Sequence, residues 1–465
     1  MPTIFGSGFV PMDRIDAWID RPSELPTHDR SEPDEVARKI GAHIATLVED
    51  GSTLQIGIGE IPDAVLDALT DKSDLGVWTE MMPDGLVDLI KAGNVTGRYK
   101  TIEPKIASVS FTFGSKSTYD FVDRNPGVAF HPSDVINDPA RVARQHKMVA
   151  INAALQIDLT GQVCSDSLGT KFYSGIGGQV DFIRGASMCP GGKPIIAVRS
   201  TAKHGEISRI APVLTEGAGV VTSRGDVRFV VTEYGVADLM GKSVRQRALA
   251  LISIAHPDHR AELLDAAKQR HYVFPDQITP RDTVRPEDDK SIETEDGRSI
   301  LLRPVRETDE DAVQRLFYSL SPDTVRLQWP DAVPAMHHRN LMRYLELDDL
   351  DHVALVAETV PTDDAVQDPE LVGLARYHTN PADGFAEVAI VIRDDWQRRG
   401  LGTALLEHLA DLAERNGIPG FTAKMIPGNV EGLQLFRRLR RSARATLDGT
   451  LVEVRVPLLD ATSGT

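Results

Sequence analysis

From Glu35 onward the chain repeats one local grammar: a short apolar strand, a tight turn, then a helix. VARKIGAHIATLVEDG places Val36, Ile40, Ile44 and Val48 four residues apart and stops at Gly51. That spacing is the stripe of an amphipathic helix closed by a glycine. TLQIGIG reads as a strand running into a glycine turn, and IPDAVLDALTDK as a helix with Pro62 in its first turn. GVWTEM is the next strand and PDGLVDLIKAG the next helix. Strands are also expected at VSFTFG, VAFHP, PIIAVRS and FVVTEYG, and helices at residues 139–150 and 243–253. A chain that alternates in this way folds as an α/β layer on a mainly parallel sheet.

The grammar does not run the whole length. Residues 1–32 are rich in Pro, Asp and Arg and read as an extended arm or linker, followed by an α/β domain over 33–275. Residues 276–297 are polar, acidic and Pro-bearing, and read as an interdomain linker. Over 298–457 the pattern changes. SILLRPVRETDEDAVQRLFYSL is a strand then a helix, VALVAE and LVGLARYH are adjacent strands, and AEVAIVIRDDWQRRGLGTALLEHLADLAERNG is a strand, a turn and a long helix. A length of 465 residues fits such a division.

Composition narrows the function classes. The formal net charge of −17 argues against general nucleic-acid binding, which needs a basic face. No apolar run of about 18 residues exists, so no membrane helix is expected. Two cysteines, Cys164 and Cys189, without metal-type spacing make a reduced, cytoplasmic protein with no metal the expectation.

Three features of the first domain invite a chemical reading. Gly57-Ile58-Gly59-Glu60-Ile61 joins a strand to a helix, where glycines let backbone N–H groups approach a ligand and a helix start favours an anion. A plain strand-to-helix turn explains the same residues. Glu80 sits in LGVWTEMMPDG among apolar neighbours that disfavour an ionised carboxylate. It is a general base, nucleophile or ligand at a strand end, or a polar residue opening a loop. SGIGGQVDF, from Ser174, offers N–H groups able to hold a negative oxygen, or is simply a glycine-rich turn.

Six segments together resemble the C-terminal part of the acetyl-CoA hydrolase/transferase family, class I CoA-transferases that include 4-hydroxybutyrate CoA-transferase. They are LQIGIGEIPDAV, WTEMMPDG, VAINAALQIDLTGQV, SGIGGQVDFIRGA, VVTEYGVADLMGKS and LISIAHPDHR, in order over residues 54–260. The resemblance implies a CoA-transferase-type α/β domain in which Glu80 attacks an acyl-CoA thioester and passes through a glutamyl-CoA thioester. It implies CoA contacts at Gly57, Ile58, Gly59, Glu60, Ile61, Leu155, Gly177 and Gly178. It leaves Glu233 structural or pocket-forming. Water in place of an acceptor carboxylate would give an acyl-CoA hydrolase. The family carries a further N-terminal α/β domain that forms the other wall of the site, and MPTIFGSGF matches an internal segment. The resemblance therefore implies that this wall comes from a longer reading frame or a separate polypeptide.

In the second domain, QRRGLG follows a strand and opens a long helix, a setting where N–H groups and arginines hold a pyrophosphate. EVAIVIRDDWQRRGLGTALL, with Asn429 in IPGNVEGLQLF, resembles the GNAT acetyltransferases. This implies a GNAT α/β domain binding acetyl-CoA through Ile390, Ile392, Gln397, Arg398, Arg399, Gly400, Leu401, Gly402, Thr403 and Asn429. Glu387, entering the strand before the loop, could serve as general base or be an exposed strand start. Phe436 stands near the place where many members carry a tyrosine acid. Acetylation of a protein lysine, or acetyl-CoA sensing alone, both fit, as does a non-catalytic CoA-responsive regulator. CoA is expected as a substrate, with no permanently bound cofactor. The expected partners are acyl-CoA, a small carboxylate and a further copy or half-domain.

Overall fold

The protein is described by a computed structural model covering residues 1–21, 23–28, 30, 32–280, 288–328, 335–345, 350–360, 369–439 and 443–458. It divides into two compact units, Met1–Pro275 and Asp276–Thr465.

In the first unit the described residues form a nine-stranded sheet. Its order is Phe5–Gly6, Val128–Phe130, Ala107–Thr112, Gly76–Met82, Thr53–Ile56, Met148–Ala153, Lys193–Ala197, Phe229–Thr232 and Gly235–Asp238. All neighbours are parallel except the last pair. The chain builds outward from Thr53–Ile56 in one direction, then crosses back to place Met148–Ala153 on its other side. Parallel strands need both faces covered, and alternate side chains serve opposite faces. Val77, Val149 and Ile151 pack with Ile40 and Ile44 of the helix Glu35–Leu47. Trp78, Met148 and Ala150 pack on the opposite face with Phe182 and Ile183 of the helix Gln179–Met188. Asp34 caps the first of these helices by accepting from the Ala37 N–H at 2.8 Å. Ser243 and Gln246 close a capping box on Val244–Ser253.

Two sequence expectations are corrected here. Residues 139–150 do not form one helix: Pro139–Val142 is a single turn, and Met148–Ala153 is a central strand. A strand buried on both faces reads as a continuous apolar run, and that run merged with Val142 into a false helical stripe. The arm over 1–32 is not wholly outside the sheet, since Phe5–Gly6 pairs with Ala129–Phe130 at its edge. Two residues are too few to leave a periodic signal.

The second unit holds an eight-stranded sheet among its described residues. Its order is Lys290–Glu293, Ser299–Pro304, His352–Thr359, Leu371–Thr379, Ala386–Ile392, Gly420–Met425, Leu451–Pro457 and Arg444–Asp448. Neighbours are antiparallel except Ala386–Ile392 against Gly420–Met425. That parallel pair is joined only at Ala386 with Phe421 and Glu387 with Thr422, and then parts. Leu405, Leu406 and Leu409 of the helix Leu401–Arg415 cover one face, and Val313, Leu316 and Phe317 of Glu310–Tyr318 the other. The segment expected as linker supplies the strand Lys290–Glu293, whose Ile292 packs on this core. Its charge-rich sequence KSIE is that of an edge strand, which hides in a polar stretch.

Candidate functional site

In the first unit the strand order reverses between Thr53–Ile56 and Met148–Ala153. Ligands of open α/β sheets settle beyond the carboxyl ends of strands at such a reversal. Gly57, Ile58 and Gly59 leave the first of these strands there, and Leu155 follows the second. Gly59 holds φ +115° and starts the helix Glu60–Asp67 with no side-chain cap. A Cβ added at Gly57 or Gly59 would meet nothing within 4 Å. The glycines thus clear open space in front of uncapped helical N–H groups, the arrangement an anion needs. Glu60 pairs with Arg199, while Ile61 turns into the core. The Leu155 N–H donates to the Cys164 carbonyl at 2.9 Å.

Glu80 lies within Gly76–Met82, two residues before its end, on the face that carries Trp78. Its shorter neighbour stops at Ile56, which the Thr79 hydroxyl binds at 3.0 Å. The carboxylate is half-buried and has no hydrogen bond or ion pair among the described residues. Gly178 lies against it: a Cβ there would fall 2.7 Å from Glu80 Oε2 and 2.5 Å from Asn137 Nδ2. Gly178 also opens the helix Gln179–Met188 without a side-chain cap, and Gly177 before it has φ +56°. The sequence-derived pair Glu80 and Gly178 therefore meets in space, while residues 174–177 are exposed.

Two polar groups were missed in the sequence: Asn137, which meets the same side of Gly178 as Glu80, and Ser110, level with Glu80 on the next strand. Asn137 Oδ1 and Ser110 Oγ are buried without a hydrogen-bond partner. Asn137 sits just past Ile136, whose carbonyl takes the Trp78 Nε1–H at 2.8 Å. Neither lies in a motif, and only sheet register could have revealed them.

A cavity of about 590 Å³ in the first unit was not anticipated. Lys39, Arg199, Lys203, Arg209 and His256 line it with Glu233 and Tyr234. Glu233 accepts from the Ser200 N–H at 3.0 Å and the Ser200 hydroxyl at 2.6 Å, which ties it into that wall. Burial first, and the like charge of Arg199 next, lower the proton affinity of Arg209.

In the second unit a cavity of about 560 Å³ opens where the parallel strands part. Ile390, Ile392, Gln397, Arg398, Gly400, Gly402, Thr403 and Asn429 all line it. Gly400 starts the helix Leu401–Arg415 at φ +83° with no side-chain cap. Two of the expected residues point elsewhere. Leu401 is 1% exposed in the core, and Arg399 pairs with Asp296 and lies over the Trp396 ring. Asn429 accepts from the Gly432 N–H at 2.9 Å and caps Val430–Arg438. Glu387 is exposed, opposite His378 in the neighbouring strand, and is not part of the cavity wall. Phe436 is buried in the core.

Comparison with known proteins agrees with this division. Residues 114–267 match the family model of the acetyl-CoA hydrolase/transferase C-terminal domain, and residues 322–439 that of the acetyltransferase (GNAT) family. The chain thus carries one segment similar to the acetyl-CoA hydrolase/transferase C-terminal domain and another similar to the acetyltransferase (GNAT) family. In particular, it is 48% identical over 270 residues to the 4-hydroxybutyrate coenzyme A transferase of Clostridium kluyveri, covering 58% of this chain and 63% of that one. It is 50% identical over 281 residues to the succinyl-CoA:acetate/propanoyl-CoA:succinate CoA transferase of Fasciola hepatica, covering 58% and 59%. The solved 4-hydroxybutyrate CoA-transferase of Porphyromonas gingivalis superposes with a TM-score of 0.52 at 42% identity, covering 58% and 64%. The chain spans about three fifths of the length of these relatives. No helix among the described residues is long and apolar enough to cross a membrane.

Proposed function

We propose that the first unit supplies the catalytic carboxylate of an acyl-CoA:carboxylate CoA-transferase, with Glu80 as nucleophile. The observation that carries this reading is an unpaired, half-buried carboxylate held against Gly178 at an uncapped helix start. Carboxylates are poor nucleophiles in water, and partial burial beside Trp78 removes solvent from this one. Glu80 attacks the thioester carbonyl, the C–S bond breaks, and an acyl-glutamyl anhydride forms with release of CoA thiolate. The thiolate attacks the glutamyl carbonyl, frees the acyl carboxylate and leaves a glutamyl-CoA thioester. An acceptor carboxylate reverses these two steps and departs as its CoA ester. Uncapped N–H groups at Gly178 and beyond suit the oxyanions, and Gly57–Gly59 suit a CoA phosphate or carbonyl. CoA is a substrate throughout. Water reaching the glutamyl thioester instead of an acceptor makes the same glutamate a hydrolase.

For the second unit we propose acetyl-CoA binding in the cavity around Gln397–Thr403. Amine acetylation, including that of a protein lysine, would use Glu387 as base. The exposed Glu387 outside the cavity wall and the buried Phe436 favour a sensor over an acetyltransferase.

The test of the first reading is to incubate the chain with acyl-CoA, reduce with borohydride, and map the product by peptide mass spectrometry. One arm adds the N-terminal half-domain of a longer relative. Conversion of Glu80 to the alcohol supports the reading, and its absence in both arms refutes it. For the second unit, calorimetric binding of acetyl-CoA with no acetyl transfer to lysine peptides supports sensing.

A further inference from the structure

We propose that Glu295 is a specificity-determining residue of the second-unit cavity, a fixed negative charge that opposes the diphosphate of a CoA ligand at the Gln397–Thr403 loop. The residue stands at the tip of the hairpin that joins Lys290–Glu293 to Ser299–Pro304. That tip is a built turn. The Thr294 N–H donates to the Arg298 carbonyl at 2.9 Å, and the Gly297 N–H to the Thr294 carbonyl at 2.8 Å. Gly297 supplies the positive φ, +82°, that a tight hairpin needs. The tip is also fastened to the loop beside it. The Glu295 N–H donates to the Arg399 carbonyl at 3.4 Å, and Asp296 binds the Arg399 guanidinium.

The charges around the cavity decide what this turn does. Among the described residues its charged lining is Arg398, Arg438, Glu295 and Glu431, so arginines and carboxylates balance before any ligand arrives. Arg398 is held by Glu431 at 2.8 Å, and Arg399 by Asp296. The Glu295 carboxylate has no hydrogen bond or ion pair among the described residues. Its Oε1 stands 3.7 Å from where a Cβ on Gly400 would lie, and so within roughly 5 Å of the backbone that opens the uncapped helix Leu401–Arg415. An anion settles at such a helix start, and here it meets an uncompensated carboxylate. Two unit charges about 5 Å apart cost a factor of about four in affinity even at the dielectric of water, and a diphosphate carries more than one charge. Glu295 therefore sorts ligands of one shape by the charge they bring to the loop. The identity of the ligand rests on the acetyl-CoA reading of this cavity, and the opposition of Glu295 to an anion does not.

The test is titration calorimetry on the full chain, with Gly400→Val as the reference that identifies binding in this cavity. Glu295→Gln keeps the shape of an exposed side chain and removes its charge. It is expected to tighten acetyl-CoA binding roughly five- to tenfold at about 10 mM salt. Near 1 M salt the gain should fall below about twofold, because the screening length of about 3 Å is then shorter than the separation. Inorganic pyrophosphate, the second probe, should follow the same pattern. Acetyl-CoA binding in this cavity that Glu295→Gln leaves unchanged, or weakens, overturns the proposal. If acetyl-CoA is not bound here but pyrophosphate is, and more tightly by Glu295→Gln, the acetyl-CoA reading falls and the charge opposition is upheld. Neither probe bound in this cavity overturns both.

Discussion

Replacing Gly178 with alanine is the sharpest perturbation of the proposed site. The new Cβ would stand 2.7 Å from Glu80 Oε2 and 2.5 Å from Asn137 Nδ2. Ordinary van der Waals contact begins at 3.4 Å, so the carboxylate must retreat by about 0.7 Å. Both obstacles are the ends of side chains, and Gly178 has an ordinary φ of −87°. The fold should absorb the change for about 1 kcal/mol, the low end of the cost of overpacking. Chemistry should not absorb it, because a displacement near 1 Å costs on the order of a hundredfold in rate. The assay is the time course of borohydride-trapped Glu80 at saturating acyl-CoA, run beside thermal unfolding. The expected result is a fall of roughly 30- to 100-fold with a melting temperature lowered by only a few degrees. A wild-type trapping rate in a folded Gly178→Ala protein would refute the idea that this glycine sets the position of the nucleophile.

Further outcomes follow from other parts of the molecule. Lys100 is 4% exposed, and burial, opposed by Glu103, pushes its ammonium down to about 7. The unfolded chain keeps that proton to about 10.4, so it binds more protons than the folded one above pH 7 and stability should rise with pH. The gain is about 2 kcal/mol between pH 7 and 9, the dependence levels off below about pH 6, and Lys100→Met should flatten it in urea titrations. Arg303, 3% exposed, binds Asp309 and Glu358, and Arg303→Ala should destabilise the second unit by about 3–5 kcal/mol in calorimetry by leaving their charges unpaired. Gly400→Val forces a branched side chain to φ +83° at the mouth of the second cavity, and should weaken acetyl-CoA binding at least tenfold by titration calorimetry.

The sequence made the order of elements legible because glycines and helical stripes punctuate it, as at Gly51, Gly59 and Gly93, the last in left-handed conformation after Asp84–Ala92. Glu80 was legible because its neighbours are apolar, and the loop Gln397–Thr403 because a strand, a glycine turn and a long helix occur in sequence. Asn137 was not, because it reaches the site through helix docking, 57 positions from Glu80. The side chains of Arg399 and Leu401 were misjudged for a related reason. A loop motif fixes where the backbone runs, whereas Trp396, Asp296 and the core decide where each side chain goes.

The proposed mechanism passes an acceptor oxygen through the Glu80 carboxyl group. It can be tested by supplying acyl-CoA with an acceptor carboxylate labelled with oxygen-18, the half-domain present, and measuring the Glu80 peptide after turnover. Attack of the acceptor on the glutamyl thioester, followed by return of CoA to the acceptor carbonyl, leaves one acceptor oxygen on the glutamate. The prediction is label in Glu80 that accumulates with product acyl-CoA. Product formed while Glu80 stays unlabelled would contradict it.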